Sequence, residues 1–316
     1  MGFFTSLKDK LTEATHSSSS HHDEDQGSSM PPAWAPAPEI SHQYGKWNEA
    51  PEEEYDAAEA FCSEYPVQPP RLLPSNAIDA ITNLGCKAWG IEYPTSPRFA
   101  GTIRNPDDKK GSSAGVCTVQ TNKKCKDTCL LSSLPILAGL YDIQGKTGVY
   151  FEVQIHRMDG IIAVGTACRP YPAWRLPGWN RLSAGFHLDD FRKFFEDPDG
   201  GRDYIPETNS SPLTSIKPQD TIGLGFIFSS GTLFYTYNGV RLPDAFQGIY
   251  LPRQEHDVFA AIGVEGECEF EVNFGGDVFR WKEANEWAWR VEGHVGKTNG
   301  SSQGGDDELP SYQALT

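Results

Sequence analysis

From about Pro69 onward the chain is a series of short apolar runs separated by glycine-rich or polar breaks. Val149-Tyr150-Phe151-Glu152-Val153-Gln154-Ile155 alternates with a period of two, as a half-buried strand does. Ile161 to Ala167 is apolar but for Thr166 and reads as a strand covered on both faces. Val116-Cys117-Thr118-Val119, Thr221 to Phe228, Thr232 to Tyr237, Val258 to Val264 and Glu269 to Gly275 extend the series. Ala88 to Glu92 is read as another strand, and Leu130 to Leu140, broken by Ser132, Ser133 and Pro135, as a core strand and turn. Asn238-Gly239 after an aromatic strand signals a tight hairpin, because both positions tolerate positive φ. Asn105 to Gly111 reads as an exposed loop, and Glu286 to Val291 as a closing helix or edge segment. No helical period separates the strands, so βαβ units are not expected. The pattern predicts an all-β fold, an antiparallel β-sandwich over residues 69–292.

The flanks have a different texture. Phe3, Phe4, Leu7 and Leu11 recur at helical spacing, which predicts a short amphipathic segment over residues 1–15. Such a segment suits a membrane surface or a partner groove through residues 1–11. Gly2 with Ser6 fits the minimal myristoylation pattern, although Phe3 is a bulky neighbour for it. Residues 16–68 are rich in Ser, His, acids and Pro and read as disordered linker. Within that linker the acidic, alanine-containing run from Pro51 to Glu64 predicts one helix, with its carboxylates at the favourable end of the dipole. Residues 293–316 read as a flexible tail.

Composition agrees with one core and two tails. Apolar residues are 38%, enough for one substantial core but thin for 316 residues. A net charge of -16 and the lack of a basic stripe set nucleic-acid binding aside. Seven cysteines, an odd number without a signal peptide, predict reduced thiols in the cytoplasm. Cys117, Cys125 and Cys129 lack zinc-knuckle spacing, so no metal or cofactor is expected. No run approaches the ~18 apolar residues of a transmembrane helix.

Arg175-Leu176-Pro177-Gly178-Trp179 and the residues around it are the densest candidate site. Tyr171, Trp174, Arg175, Trp179 and Tyr204 are read as a candidate ligand surface, since aromatics and arginine carry most binding energy at interfaces. Trp179 after Pro-Gly also suits a core plug, and Arg175 a pair with Asp189 or Asp190. The two aspartates read as turn caps and arginine partners, and His187 as a structural histidine inside a strand. No nucleophile elbow, phosphate loop or HExxH is present, so no catalytic residue is named. At the far end, Leu309-Pro310-Ser311-Tyr312 pairs a proline that presets an extended shape with a large aromatic anchor. That combination suits the aromatic groove of a WW domain.

The order of motifs resembles the SPRY (B30.2-like) family, a concanavalin-like jelly roll. The resemblance rests on Tyr150-Phe151-Glu152-Val153, Val164-Gly165 and Arg175 to Trp179. It continues through Gly185-Phe186-His187, Asp189-Asp190, Asp220 to Gly223, Gly231 to Phe234, Asn238-Gly239 and Asn273-Phe274-Gly275. Cys168-Arg169-Pro170-Tyr171-Pro172 and the Leu309 to Tyr312 motif further resemble fungal SPRY adaptors of a Nedd4-type (HECT) ubiquitin ligase. That resemblance implies a non-enzymatic adaptor with two partners, the ligase's WW domains and membrane-protein cargo. It implies ubiquitin-dependent sorting, in the cytoplasm or peripherally on endosomal or vacuolar membrane. The other readings are a substrate-recognition scaffold of a multi-subunit ligase and, least supported by motifs, a sugar-acting hydrolase. Three features depart from the family: those adaptors typically carry a transmembrane anchor and none is read here, Phe191 stands where a glycine usually follows the aspartates, and Pro198 to Pro218 is a longer loop than usual.

Overall fold

The computed structural model describes residues 52–106, 115–205 and 213–295. Helix α1, Glu52–Glu64, and helix α2, Ser75–Leu84, precede the strands. Twelve strands follow among the described residues. They are β1 (Gly101–Arg104), β2 (Cys117–Thr121), β3 (Thr128–Leu131), β4 (Leu137–Ala138), β5 (Gly148–Cys168), β6 (Ser183–His187) and β7 (Arg192–Phe195). The rest are β8 (Arg202–Asp203), β9 (Thr221–Ile227), β10 (Thr232–Tyr237), β11 (Val240–Phe246) and β12 (Asp257–Asn273). All join one antiparallel hydrogen-bonded network, with the path β1-β2-β12-β5-β6-β7-β8 and β9, β10 and β11 leading off β5. The fold is all-β and antiparallel, as expected.

Its axis is the pair β5 and β12, which stay hydrogen-bonded from Val258↔Cys168 to Asn273↔Glu152. β5 has 21 residues and β12 has 17, so each merges two strands read separately from sequence. The gaps between those readings are the polar stretches His156 to Gly160 and Glu265 to Cys268, and they face each other across the ladder. Hydrophobic alternation fails on both strands at one register, and charge pairing replaces it. Arg157 bonds Glu267, and His156 Nε2 lies 3.5 Å from Glu271. β5 changes its other neighbour along its length, pairing with β9 through Gly148 to Gln154 and with β6 through Ala163 to Ala167.

Phe151, Val153, Ile155 and Val164 of β5 enter the main core with Leu224, Tyr235, Ile262 and Phe270. Tyr150 faces the other way, into a second cluster with Phe234, Phe279, Trp281 and Trp289. The closing segment is three short 3-10 turns, Lys282–Asn285, Trp287–Trp289 and Val291–His294, that lay this tryptophan cover over the sheet. Glu152, only 4% exposed, fastens it. Its carboxylate accepts from Tyr150 Oη at 2.8 Å, Arg280 N at 3.0 Å and Trp281 N at 3.1 Å. Burying a carboxylate is costly, and three donors offset that cost.

Asn238 and Gly239, at φ +49° and +82°, make the expected hairpin between β10 and β11. Ala88 to Glu92 is not a strand: Gly85–Ala88 is a 3-10 turn, and Ile91 makes one isolated bridge to Ser132. Trp89 there is fully buried and donates through Nε1 to Pro135 O at 3.1 Å, so its apolar run marks core burial rather than ladder pairing. α2 was not expected from sequence.

Candidate functional site

The Pro170 to Arg181 loop joins β5 to β6 and folds back flat on the sheet. Gly178 makes this possible. It sits at φ +99°, and a Cβ there would lie 2.5 Å from Phe194 Cβ. Gly185 on β6 lets Pro177 O approach in the same way, since its Cβ would meet that oxygen at 2.0 Å. Trp179, the expected core plug, is buried with Leu176 and Phe194. His187 packs 4.1 Å from the Phe194 ring, and its Nε2 lies 3.0 Å from Pro177 O. Burial pushes the His187 pKa down to about 4, so the ring is neutral and structural.

The five candidate ligand residues divide differently from the sequence reading. Tyr171 is buried and donates to Leu176 O at 2.6 Å, pinning its own loop. Arg175 is 2% exposed. Its Nε donates to Asn180 Oδ1 at 2.8 Å, and its guanidinium stacks 4.5 Å from the Trp179 ring. Tyr204 is 5% exposed and sits deep in the main core, edge-on to Phe186 at 5.2 Å, with its hydroxyl bonded to Pro243 O. These three side chains are buried and help hold the loop and core together. Trp174 alone of the five is half-buried, and what covers it is α1.

α1 lies along this loop. Trp174 Nε1 donates to Glu54 O at 3.4 Å, and the Phe61 ring meets the Trp174 ring edge-on at 5.6 Å. Asn180 Nδ2 donates to Glu59 Oε1 at 2.9 Å. Arg181 donates to Cys62 O and Tyr65 O at the helix end. Arg98, from the stretch before β1, bonds Glu54 at 2.8 Å. Ala58 and Cys62, one turn apart, are the buried positions of α1. Gln68 N donates to Arg169 O at 2.8 Å, so residues 52–68 of the expected linker are attached to the sandwich. Asn180, Arg181, Arg98 and α1 were not singled out as site residues. The Ala58/Cys62 and Phe61/Tyr65 pairs, each at i, i+4, were the available signal.

Asp127 lies beside this contact. Burial, then the carboxylates of Glu265 and Glu54, push its pKa up to about 7, against the pull of Arg98 and Arg175. Asp190 caps its own turn, accepting from Arg192 N at 3.0 Å, as expected of the aspartate pair. Phe191, after the aspartate pair, holds φ +57°. The backbone keeps the left-handed turn even with a bulky side chain on it.

All seven cysteines are buried thiols, none of them in a disulfide. Burial pushes the thiols of Cys168 and Cys268 up to about 12, so they stay protonated. No helix among the described residues is long and apolar enough to cross a membrane. Gly2, the 1–15 segment and Leu309-Pro310-Ser311-Tyr312 lie outside the described residues.

The SPRY domain profile matches residues 148–277, from the start of β5 past the end of β12. Protein ssh4 of Sclerotinia sclerotiorum is 29% identical over 246 residues, 75% of this chain and 40% of that protein. Protein ssh4 of Neurospora crassa is 32% identical over 142 residues, 44% of this chain and 26% of that protein. A SPRY domain-containing protein of Schizosaccharomyces pombe is 29% identical over 177 residues, 55% of this chain and 40% of that protein. The chain thus spans 40% or less of the length of these curated relatives. A crystallised human SPRY domain aligns with 60% of this chain and 99% of its own, at 20% identity and a TM-score of 0.38. Residues 148–277, which hold the β5–β12 axis and the folded-back Arg175 to Trp179 loop, match the SPRY domain family.

Proposed function

We propose that the chain is a non-enzymatic adaptor. Its SPRY domain holds a membrane-protein cargo, and Leu309-Pro310-Ser311-Tyr312 holds the WW domains of a HECT-type ubiquitin ligase. The observation that carries this reading is the presence of both features in one chain: a SPRY domain at 148–277 and a WW-type motif near residue 310. Similarity to Protein ssh4 over 75% of the chain supports it. Such a tether works by effective concentration, bringing ligase and target together without new chemistry. The groups that come nearest to a catalytic pattern are otherwise engaged. His187 is neutral and buried, Glu152 is tied to three donors, and the Cys168 and Cys268 thiols stay protonated.

In this reading residues 1–11, with or without a lipid on Gly2, hold the adaptor to endosomal or vacuolar membrane. The end product is ubiquitin-dependent sorting of the cargo. Proximity labelling with the wild-type chain and with Tyr312→Ala tests it. The reading requires a HECT-type ligase among the wild-type labelled proteins, and its loss from the variant with membrane proteins retained. A wild-type set without any such ligase overturns it.

A further inference from the structure

We propose that the groove between the Pro170 to Arg181 loop and Arg98 is a docking site for an acidic amphipathic helix of a partner protein. α1 occupies it as a stand-in supplied by the chain itself. This rests on the reading of the SPRY domain as the cargo-holding part, and it states the kind of segment that would be held.

The contacts that α1 makes define the ligand chemistry. An acid in the first turn meets Arg98, and a second acid five residues on meets Asn180. Small side chains at Ala58 and Cys62 allow close approach, and an aromatic at Phe61 meets Trp174. Arg181 takes the carbonyls of Cys62 and Tyr65, the negative end of the helix dipole. It reads only the helix end, so it serves another helix as well. The other recognition comes from charge and shape at five spaced positions, which a partner sequence can supply.

α1 is weakly invested in the place it holds. It has 13 residues, a length that is marginal for an isolated helix. Only Ala58 and Cys62 are buried, and no basic residue lies in its last turn. Glu64 there opposes the dipole that Arg181 then has to satisfy. The fit also leaves buried polar atoms without a protein partner at this contact: Glu54 Oε2, Arg98 Nε, Asp127 Oδ1 and Arg181 Nε. Buried polar atoms in a settled interior are nearly always paired. A partner helix with further polar groups at these points would therefore displace α1, while the sandwich beneath keeps its own core.

The test uses the full chain and a fluorescent peptide copying residues 52–65. Ala58→Glu places a charge under α1 and frees the groove without altering it. The peptide is expected to bind this variant at least about tenfold tighter than wild type, because α1 no longer competes. Glu54→Lys with Glu59→Lys in the peptide, or Arg181→Glu added to the chain, should each abolish that binding. Failure of the peptide to bind a folded Ala58→Glu chain overturns the proposal. Amide hydrogen exchange on the wild-type chain covers the case where Ala58→Glu does not fold. The proposal requires α1 amides to open at least about a hundredfold more often than those of β5 and β12. Equal protection overturns it. A wild-type dimer formed by exchange of α1 would name a second copy as the occupant and also overturn it. WW-domain binding by the tail, measured on the same samples, should not change with Ala58→Glu. Loss of the docking site and loss of the adaptor reading are thereby read separately.

Discussion

Glu152→Ala is the sharpest structural test of how the SPRY domain is closed. The carboxylate is 4% exposed and accepts from Tyr150 Oη, Arg280 N and Trp281 N. Tyr150 keeps a second partner, Thr236 Oγ1 at 2.7 Å, so its hydroxyl is not stranded by the substitution. The two backbone amides lose their acceptor. The buried Trp281 amide left unsatisfied costs about 1–3 kcal/mol and the part-buried Arg280 amide adds less, giving roughly 2–4 kcal/mol in all. The damage should be local at first, because these amides begin the segment that carries Trp281 and Trp289 over Tyr150 and Phe234. Chemical denaturation followed by tryptophan fluorescence reads both effects. The expected result is a stability loss above about 2 kcal/mol, with increased solvent exposure of tryptophan before global unfolding. A loss below about 1 kcal/mol would refute the claim that Glu152 fastens the tryptophan cover.

Other outcomes follow from the same geometry. The Asp127 pKa of about 7 lies above the usual ~3.9 of an unfolded aspartate, so the folded state binds more protons between those values. Stability therefore falls as pH rises from about 4 to about 7 and is level above that. Asp127→Asn should remove about 1–2 kcal/mol from the stability difference between pH 5 and pH 8, read by denaturant titration at both. Gly239→Ala puts a Cβ 2.6 Å from Arg280 O at φ +82° and should cost about 1–3 kcal/mol in the same assay.

Much of the sheet was legible because its strands are short apolar and aromatic runs set off by turn residues. Val149 to Ile155 and Thr232 to Tyr237 are strands buried on both faces, with Phe151, Val153, Leu233 and Tyr235 in the main core and Tyr150 and Phe234 in the second cluster, and Asn238-Gly239 is the turn its φ values require. The continuity of β5 and β12 was not legible. His156 to Gly160 looks like a loop until Glu265 to Cys268 is set opposite it, and that pairing joins residues about a hundred positions apart. Trp89 misled in the other direction, since an apolar run records burial and not the partner. The site was read least well. Tyr171, Arg175 and Tyr204 have the composition of an interface, yet their polar atoms are used by Leu176, Asn180 and Pro243 inside the fold. Composition gives the residue types that bind and does not give the direction they face. The acidic run from Pro51 to Glu64 was read as a helix inside a linker. Its seat on Trp174, Asn180 and Arg181 depends on tertiary contacts more than a hundred residues away.

The most direct measurement of the account's central claim is calorimetric titration of the full chain with a purified WW-domain array from a HECT-type ligase. The account predicts saturable binding by the wild-type chain, weakened at least about tenfold by Tyr312→Ala and unchanged by Ala58→Glu on α1. Equal affinity of wild type and Tyr312→Ala, or no binding by either, would contradict it.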